Sequence, residues 1–203
     1  MQRFTWDLLY PNPPSDGYDL PISAIVRDTP WTPQGPAVLP GVYNVKLTVN
    51  GKTMTQKLNV RIDPRVKTSA IGLRQQFDLS LQAYDGVKKA AEMMGSIKKF
   101  SADIARLRTV ALVTEQQKAR LDMIEQRVKL LTEGPPRKPG EPMVVAEMPL
   151  GRLGGALTQL LDLLQDADVT PSSQAVAAAR DLQMALAKAE AEWMEVKGMM
   201  DPK

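Results

Sequence analysis

The chain has 203 residues, 43% hydrophobic and 24% charged, and carries a net charge of +3. That is sequence enough for one large domain or two small ones with a real core, and too little charge to mark a nucleic-acid binder. There is no histidine and no cysteine, which excludes Ser-His-Asp triads, histidine metal sites, thiol nucleophiles, thiolate zinc sites and disulfides. A cysteine-free chain suits a reducing cytosol and an exported protein equally well. No apolar run approaches the ~18 residues of a membrane span, and Met1 to Asp7 holds no signal-peptide core. The sequence goes straight into a strand-like pattern, as if cut from something longer.

From Gln2 to Tyr10, Phe4, Trp6 and Leu8 alternate with Arg3, Thr5 and Asp7, which predicts a strand. Pro11 to Asp19 reads as a loop, Ile22 to Val26 as a short edge strand, and Thr29 to Pro40 as an extended traverse with four prolines around Trp31. The clearest signal lies in Gly35 to Val66. Tyr43, Val45, Leu47 and Val49 alternate with Asn44, Lys46 and Thr48; Asn50-Gly51 follows; then Met54, Leu58, Val60 and Ile62 alternate with Thr53, Thr55, Lys57 and Arg61. Two alternating runs joined by Asn-Gly predict a β-hairpin with a type I′ turn. Asp63-Pro64 ends it, since proline donates nothing to a ladder.

Beyond Pro64 the apolar period lengthens to three and four residues. Leu73, Phe77, Leu81, Tyr84, Val87, Ala91, Met94, Ile97, Ile104 and Leu107 predict one helix of about 35–40 residues, capped by Thr68 or Ser69 and kinked, if anywhere, at Gly95-Ser96. Thr114 with Gln117 forms a capping box for a second helix whose inner face is Leu121, Ile124, Val128 and Leu131. Residues 134–149 hold five prolines and two glycines, a linker that a packed bundle would leave outside. A third helix is expected from Leu150 to Ala167. A fourth opens at Thr170-Pro171 with Val176, Ala179, Leu182, Leu186, Ala189, Trp193 and Val196 as its buried stripe.

These elements make an α+β protein: a small antiparallel Ig-like β module over residues 1–65, incomplete as it stands, and an up-down four-helix bundle over residues 66–203 with the linker inside it. Residues 1–65 carry 7 basic and 5 acidic side chains, 66–133 carry 12 and 8, 134–147 carry 2 and 2, and 148–203 carry 5 and 8. A basic first helical pair and an acidic last pair favour mutual neutralisation across the bundle.

RFTWDLLYP, then GPAVLPGVYNVKLTVNGKTMTQKLNVRIDPRV, then LRQQFDLSLQAYDGVKKA resembles the C-terminal region of bacterial sortilin-like, Asp-box (neuraminidase-repeat) β-propeller proteins, usually labelled glycosyl hydrolases. LLQDADVTPSSQAV is similar to the helix-loop-helix near that family's end, so the resemblance covers most of the chain. The β half is also similar in pattern to the Ig-like modules of flagellar hook-capping and bacterial surface-sorting proteins. The sequence contains no Asp-box, and the propeller, where any glycosidase-like chemistry would sit, is missing. The resemblance therefore implies a non-catalytic accessory region in periplasmic or extracellular proteins, with no catalytic residue, no metal and no cofactor. Family members also have further strands ahead of the position of Arg3. An Ig-like sandwich needs about seven strands in ~100 residues, and three or four are visible here. The expected partner is another protein chain or an upstream β-propeller segment that completes the sheet by edge addition.

Trp6, Trp31 and Tyr43 are the candidate contact residues. They either meet a partner or a carbohydrate, in a carbohydrate-binding or glycosidase-accessory module, or fill the small β core. Asp7, Asp28 and Asp63 offer carboxylates for glycoside chemistry, but turn and cap roles suit each better. Lys88, Lys89, Lys98, Lys99, Arg106 and Arg108 form a basic stripe that either meets phosphate or anionic lipid or, being interleaved with Asp85, Glu92 and Asp103, pairs with itself. Met93-Met94 and Met199-Met200 read as adaptable packing, and Gly151, Gly154 and Gly155 as close helix approach rather than a phosphate loop.

Overall fold

The computed structural model describes residues 4–14, 33–110, 114–138 and 140–200. The expected edge strand at Ile22–Val26 and the residues Trp31 and Asp28 lie outside the described residues. The elements are β1 (Gly41–Val49), β2 (Lys52–Val60), α1 (Ala70–Val110), α2 (Glu115–Glu133), a single 3₁₀ turn (Val145–Glu147), α3 (Leu150–Gln165) and α4 (Ser173–Gly198). The fold is mixed, as the α+β reading expects: a two-stranded antiparallel sheet and four helices.

Local chemistry sets the helix boundaries. Ser69 Oγ accepts the Gly72 N–H at 3.1 Å and so caps α1, while the alternative, Thr68, donates to the Asp168 carbonyl. The Thr114–Gln117 capping box opens α2 in both directions. Gly134 closes it with φ 78° and an N–H bond to the Leu130 carbonyl. The cap of α4 is Ser172, not Thr170; its hydroxyl accepts the Ala175 N–H at 3.2 Å. Thr170 is used elsewhere, lying so close to Gly72 of α1 that a Cβ there would fall 2.1 Å from its hydroxyl. The start of α4 moves accordingly, and Ala175 takes the buried place expected of Val176, which is exposed.

Every pair among the four helices is in contact. α3 lies at the centre, with Leu153, Leu157 and Leu161 fully buried beside Ile104 of α1 and Ile124 of α2. Gly86 receives the Leu157 methyls, and Gly151 lets the Thr132 carbonyl come within 2.7 Å of where a Cβ would be. α1 runs unbroken for 41 residues. The helix continues through Gly95-Ser96, where Ser96 Oγ donates to the Glu92 carbonyl one turn back. The Pro-rich linker is less peripheral than its composition implies. Its 3₁₀ turn packs on α4, and Val145 and Met148 join the core.

The expected charge exchange between the first and last helical pairs is present in Lys89 with Glu190 and Arg127 with Glu195, while Arg108 pairs with Asp122 and Glu125 inside the first pair.

The N-terminal segment departs from the strand expected over Gln2–Tyr10. Among the described residues, the pairing of residues 4–10 is a bridge between Leu9 and Ala37, flanked by hydrogen bonds from Tyr10 N to Pro36 O and from Val38 N to Leu8 O. Leu8 has φ 66°, which breaks the extended backbone, and Asp7 Oδ1 accepts the Leu9 N–H in the turn role expected of it. Gly35 is required at this crossing, since a Cβ would lie 2.2 Å from the Tyr10 carbonyl. The Tyr10 ring then sits 6.0 Å from Phe77 and 6.3 Å from Tyr84, docking the segment on α1.

Candidate interaction surface

β1 and β2 pair in full register from Gly41 opposite Val60 to Val49 opposite Lys52. Asn50 and Gly51 turn the chain with φ of 48° and 77°, the two positive angles that a type I′ turn demands. Because directly opposed residues share a face, Tyr43, Val45, Leu47 and Val49 lie on one side with Leu58, Gln56, Met54 and Lys52. Asn44, Lys46 and Thr48 share the other side with Lys57, Thr55 and Thr53, and Thr48 and Thr53 join their hydroxyls at 2.9 Å.

Neither strand packs on a helix. The apolar face is therefore wet: Val45 is 47% exposed, Leu47 55%, Val49 50% and Met54 60%. Among the described residues the sheet has two strands, and both of its outer edges are without a further strand. Contiguous apolar side chains left in water on an element with free edges mark a surface awaiting cover.

The base of the hairpin is where it is held. Trp6 and Tyr43 stack edge to face, 5.7 Å between centroids and 70° between planes. The Trp6 indole donates to the Leu9 carbonyl at 3.0 Å and the Tyr43 hydroxyl to the Leu39 carbonyl at 2.6 Å. Two of the three candidate contact residues are thus brought together, half-buried, with their polar tips bonded to backbone. Beside them, Asp63 accepts from the Arg65 guanidinium and backbone N–H; that guanidinium holds its carboxyl below the usual 3.8.

Sequence reasoning passed over the hairpin's cations. Lys46, Lys52 and Lys57, with Arg61 just beyond, carry no ion pair among the described residues. The signal was available: no Asp or Glu occurs between Asp28 and Asp63. The stripe on α1 behaves otherwise, with Lys88 on Asp85 and Arg106 on Asp103 in addition to the interhelical pairs. Met93 is buried, Met94, Met199 and Met200 pack against the core, and a Cβ at Gly154 would lie 3.7 Å from that of Ala90.

A groove of about 690 Å³ runs between α1 and α3, with Ala90, Gly154 and Gly155 among its lining and Asp162 on it. Burial, and secondarily Asp166, pushes the Asp162 carboxyl above 3.8. Among the described residues no cluster of three or more Asp or Glu side chains is arranged to hold a metal ion, and no helix is long and apolar enough to cross a membrane. No protein-family model, curated protein or solved structure matches the chain.

Proposed function

We propose that the chain is a non-catalytic structural or protein-interaction region belonging to an exported β-propeller, glycosyl-hydrolase-like protein or complex, acting in the periplasm or outside the cell. The helices form an up-down bundle that serves as its rigid body. The β1–β2 hairpin is the part of an Ig-like module that this chain contributes, and a second polypeptide or a β-propeller segment supplies strands to it. The observation that carries the reading is the uncovered apolar face of a hairpin that no helix supports. An isolated two-stranded hairpin is marginal in water, so strands added at its edges would stabilise it, and apolar surface of the same partner laid over its face would bury Val45, Leu47 and Met54. The polar tips of Trp6 and Tyr43 favour this over the carbohydrate reading, because both donate to backbone carbonyls and are not left for sugar hydroxyls.

The test is site-specific photo-crosslinking in bacteria producing the full chain, with the crosslinker at Leu47 and, as control, at Leu163, an exposed residue of α3. Adducts to one defined polypeptide from Leu47 and none from Leu163 are expected. Equal labelling from both positions removes the reading, and sugar binding lost in Trp31→Ala replaces it with a carbohydrate-binding module.

A further inference from the structure

The proposed docking role leaves open what kind of strand the hairpin accepts, and the charge pattern answers it. We infer that the free edge of β2 receives an extended segment in which apolar residues alternate with carboxylates, supplied by a different protein and not by a second copy of this chain; the inference rests on the docking reading above.

Three observations converge. β2 places Met54 and Leu58 on the apolar face, which Lys52 shares beside the turn, and Lys57 on the opposite face, where Lys46 of β1 joins it. An added strand continues both faces, so its apolar positions would lie beside Met54 and Leu58 and its alternate positions beside Lys57. Among the described residues the cations have no counter-ion of their own. Lys46, Lys52 and Lys57 are without ion pairs among the described residues, and the nearest carboxylate in sequence, Asp63, is held by Arg65 at 2.6 Å. Finally, the same lysines disfavour self-association, because two β2 edges pairing with each other would bring like charges together.

Lysine on an exposed edge is also a device against indiscriminate pairing. Exclusion and selection are the same physics here, since a charge that repels its own copy admits a strand of opposite sign. The pattern also differs from a surface built only to stay in solution, which would leave the other face polar; this one keeps Tyr43, Val45, Leu47 and Val49 in a row.

The experiment titrates the full chain with synthetic nine-residue peptides, matching the length of β2, that alternate valine with glutamate, glutamine or lysine, following backbone amide NMR shifts. The glutamate peptide is expected to bind about tenfold tighter than the glutamine one, to weaken with added salt, and to shift β2 amides more than those of α1–α4. Lys46→Glu/Lys57→Glu is expected to transfer the preference to the lysine peptide, with the helical circular dichroism unchanged because the hairpin does not pack on the bundle. Equal binding of the glutamate and glutamine peptides overturns the charge inference and leaves the docking reading standing. Failure of all peptides alongside a Leu47 crosslink overturns the strand-addition geometry, and absence of that crosslink as well overturns both. Lysine-dependent binding to phosphatidylserine vesicles or duplex DNA, without peptide preference, assigns the cations to those partners and likewise overturns the inference.

Discussion

The Gln165 side chain, at the last residue of α3, accepts the Ala37 backbone N–H at 2.8 Å across 128 residues of sequence. Its amide nitrogen donates to Ser80 Oγ at 2.7 Å. Ser80 donates in turn to the Gln76 carbonyl, and Gln76 Nε2 donates to the Leu164 and Ala167 carbonyls at the end of α3. One amide thereby connects the N-terminal segment, α1 and α3. Gln165→Leu should lower stability by ~1–3 kcal/mol in denaturant titrations, because Ala37 N–H and the buried Ser80 hydroxyl each lose a partner. Amide exchange at Ala37 should quicken more than anywhere in α2 or α4. A uniform acceleration would show that Gln165 supports the whole bundle and not this junction.

Two glycines of α3 should respond with opposite sign. At Gly155 a Cβ meets nothing within 4 Å, so Gly155→Ala gains helix propensity and is expected to stabilise by about 0.5–1 kcal/mol. At Gly151 a Cβ would lie 2.7 Å from the Thr132 carbonyl, a backbone atom. Gly151→Ala should therefore force α2 and α3 apart at a cost of about 1–3 kcal/mol. Thermal unfolding of the two variants distinguishes them; stabilisation by both would mean the α2–α3 approach yields easily.

Much of this was legible because the signals are local. Asn50-Gly51 between two alternating runs sets the hairpin register residue by residue, and Thr114–Gln117 sets the start of α2, since both depend on chemistry within four residues. The errors lie where distant contacts decide. Leu8 takes a left-handed turn because Tyr10 and Pro36 are paired across the Gly35 crossing, which no alternation pattern announces. Thr170 loses its capping role to a contact with Gly72, almost a hundred residues away. Of the candidate contact residues, Trp6 and Tyr43 could be chosen by type, but their meeting depends on the same crossing. The wet face of the hairpin was foreshadowed by the shortage of strands, although alternation alone says that one face is apolar and nothing about what covers it.

Asp162 gives a pH test. Burial raises its carboxyl pKa in the folded state above the ordinary 3.8, with Asp166 adding to the shift. A carboxyl with a raised folded pKa is better tolerated when protonated. The contribution favouring the fold is complete below 3.8 and is lost as pH rises through the higher folded value. Near neutral pH the wild type thus carries a charged group that Asp162→Asn removes. The variant should melt higher than wild type near neutral pH, with the difference shrinking as pH falls and vanishing below 3.8. A difference that stays constant across the titration would assign the effect to packing.

The hairpin should melt on its own. Gly51 has φ 77° and open space around it, so Gly51→Val adds no clash, only the cost of holding a β-branched residue in the left-handed region, on the order of 1–3 kcal/mol. A hairpin that relies on two strands and its turn has little stability to lose, and the helices have no packing against it to lose with it. Amide exchange in Val45–Val49 and Lys52–Gln56 should then become nearly unprotected in Gly51→Val while Leu157, Leu161 and Ile124 keep wild-type protection and the melting temperature scarcely moves. If the bundle loosens in parallel, the hairpin is coupled to it through the Trp6–Tyr43 contact at its base. Trp6→Leu, which removes that ring contact and leaves the turn intact, should then reproduce the loosening.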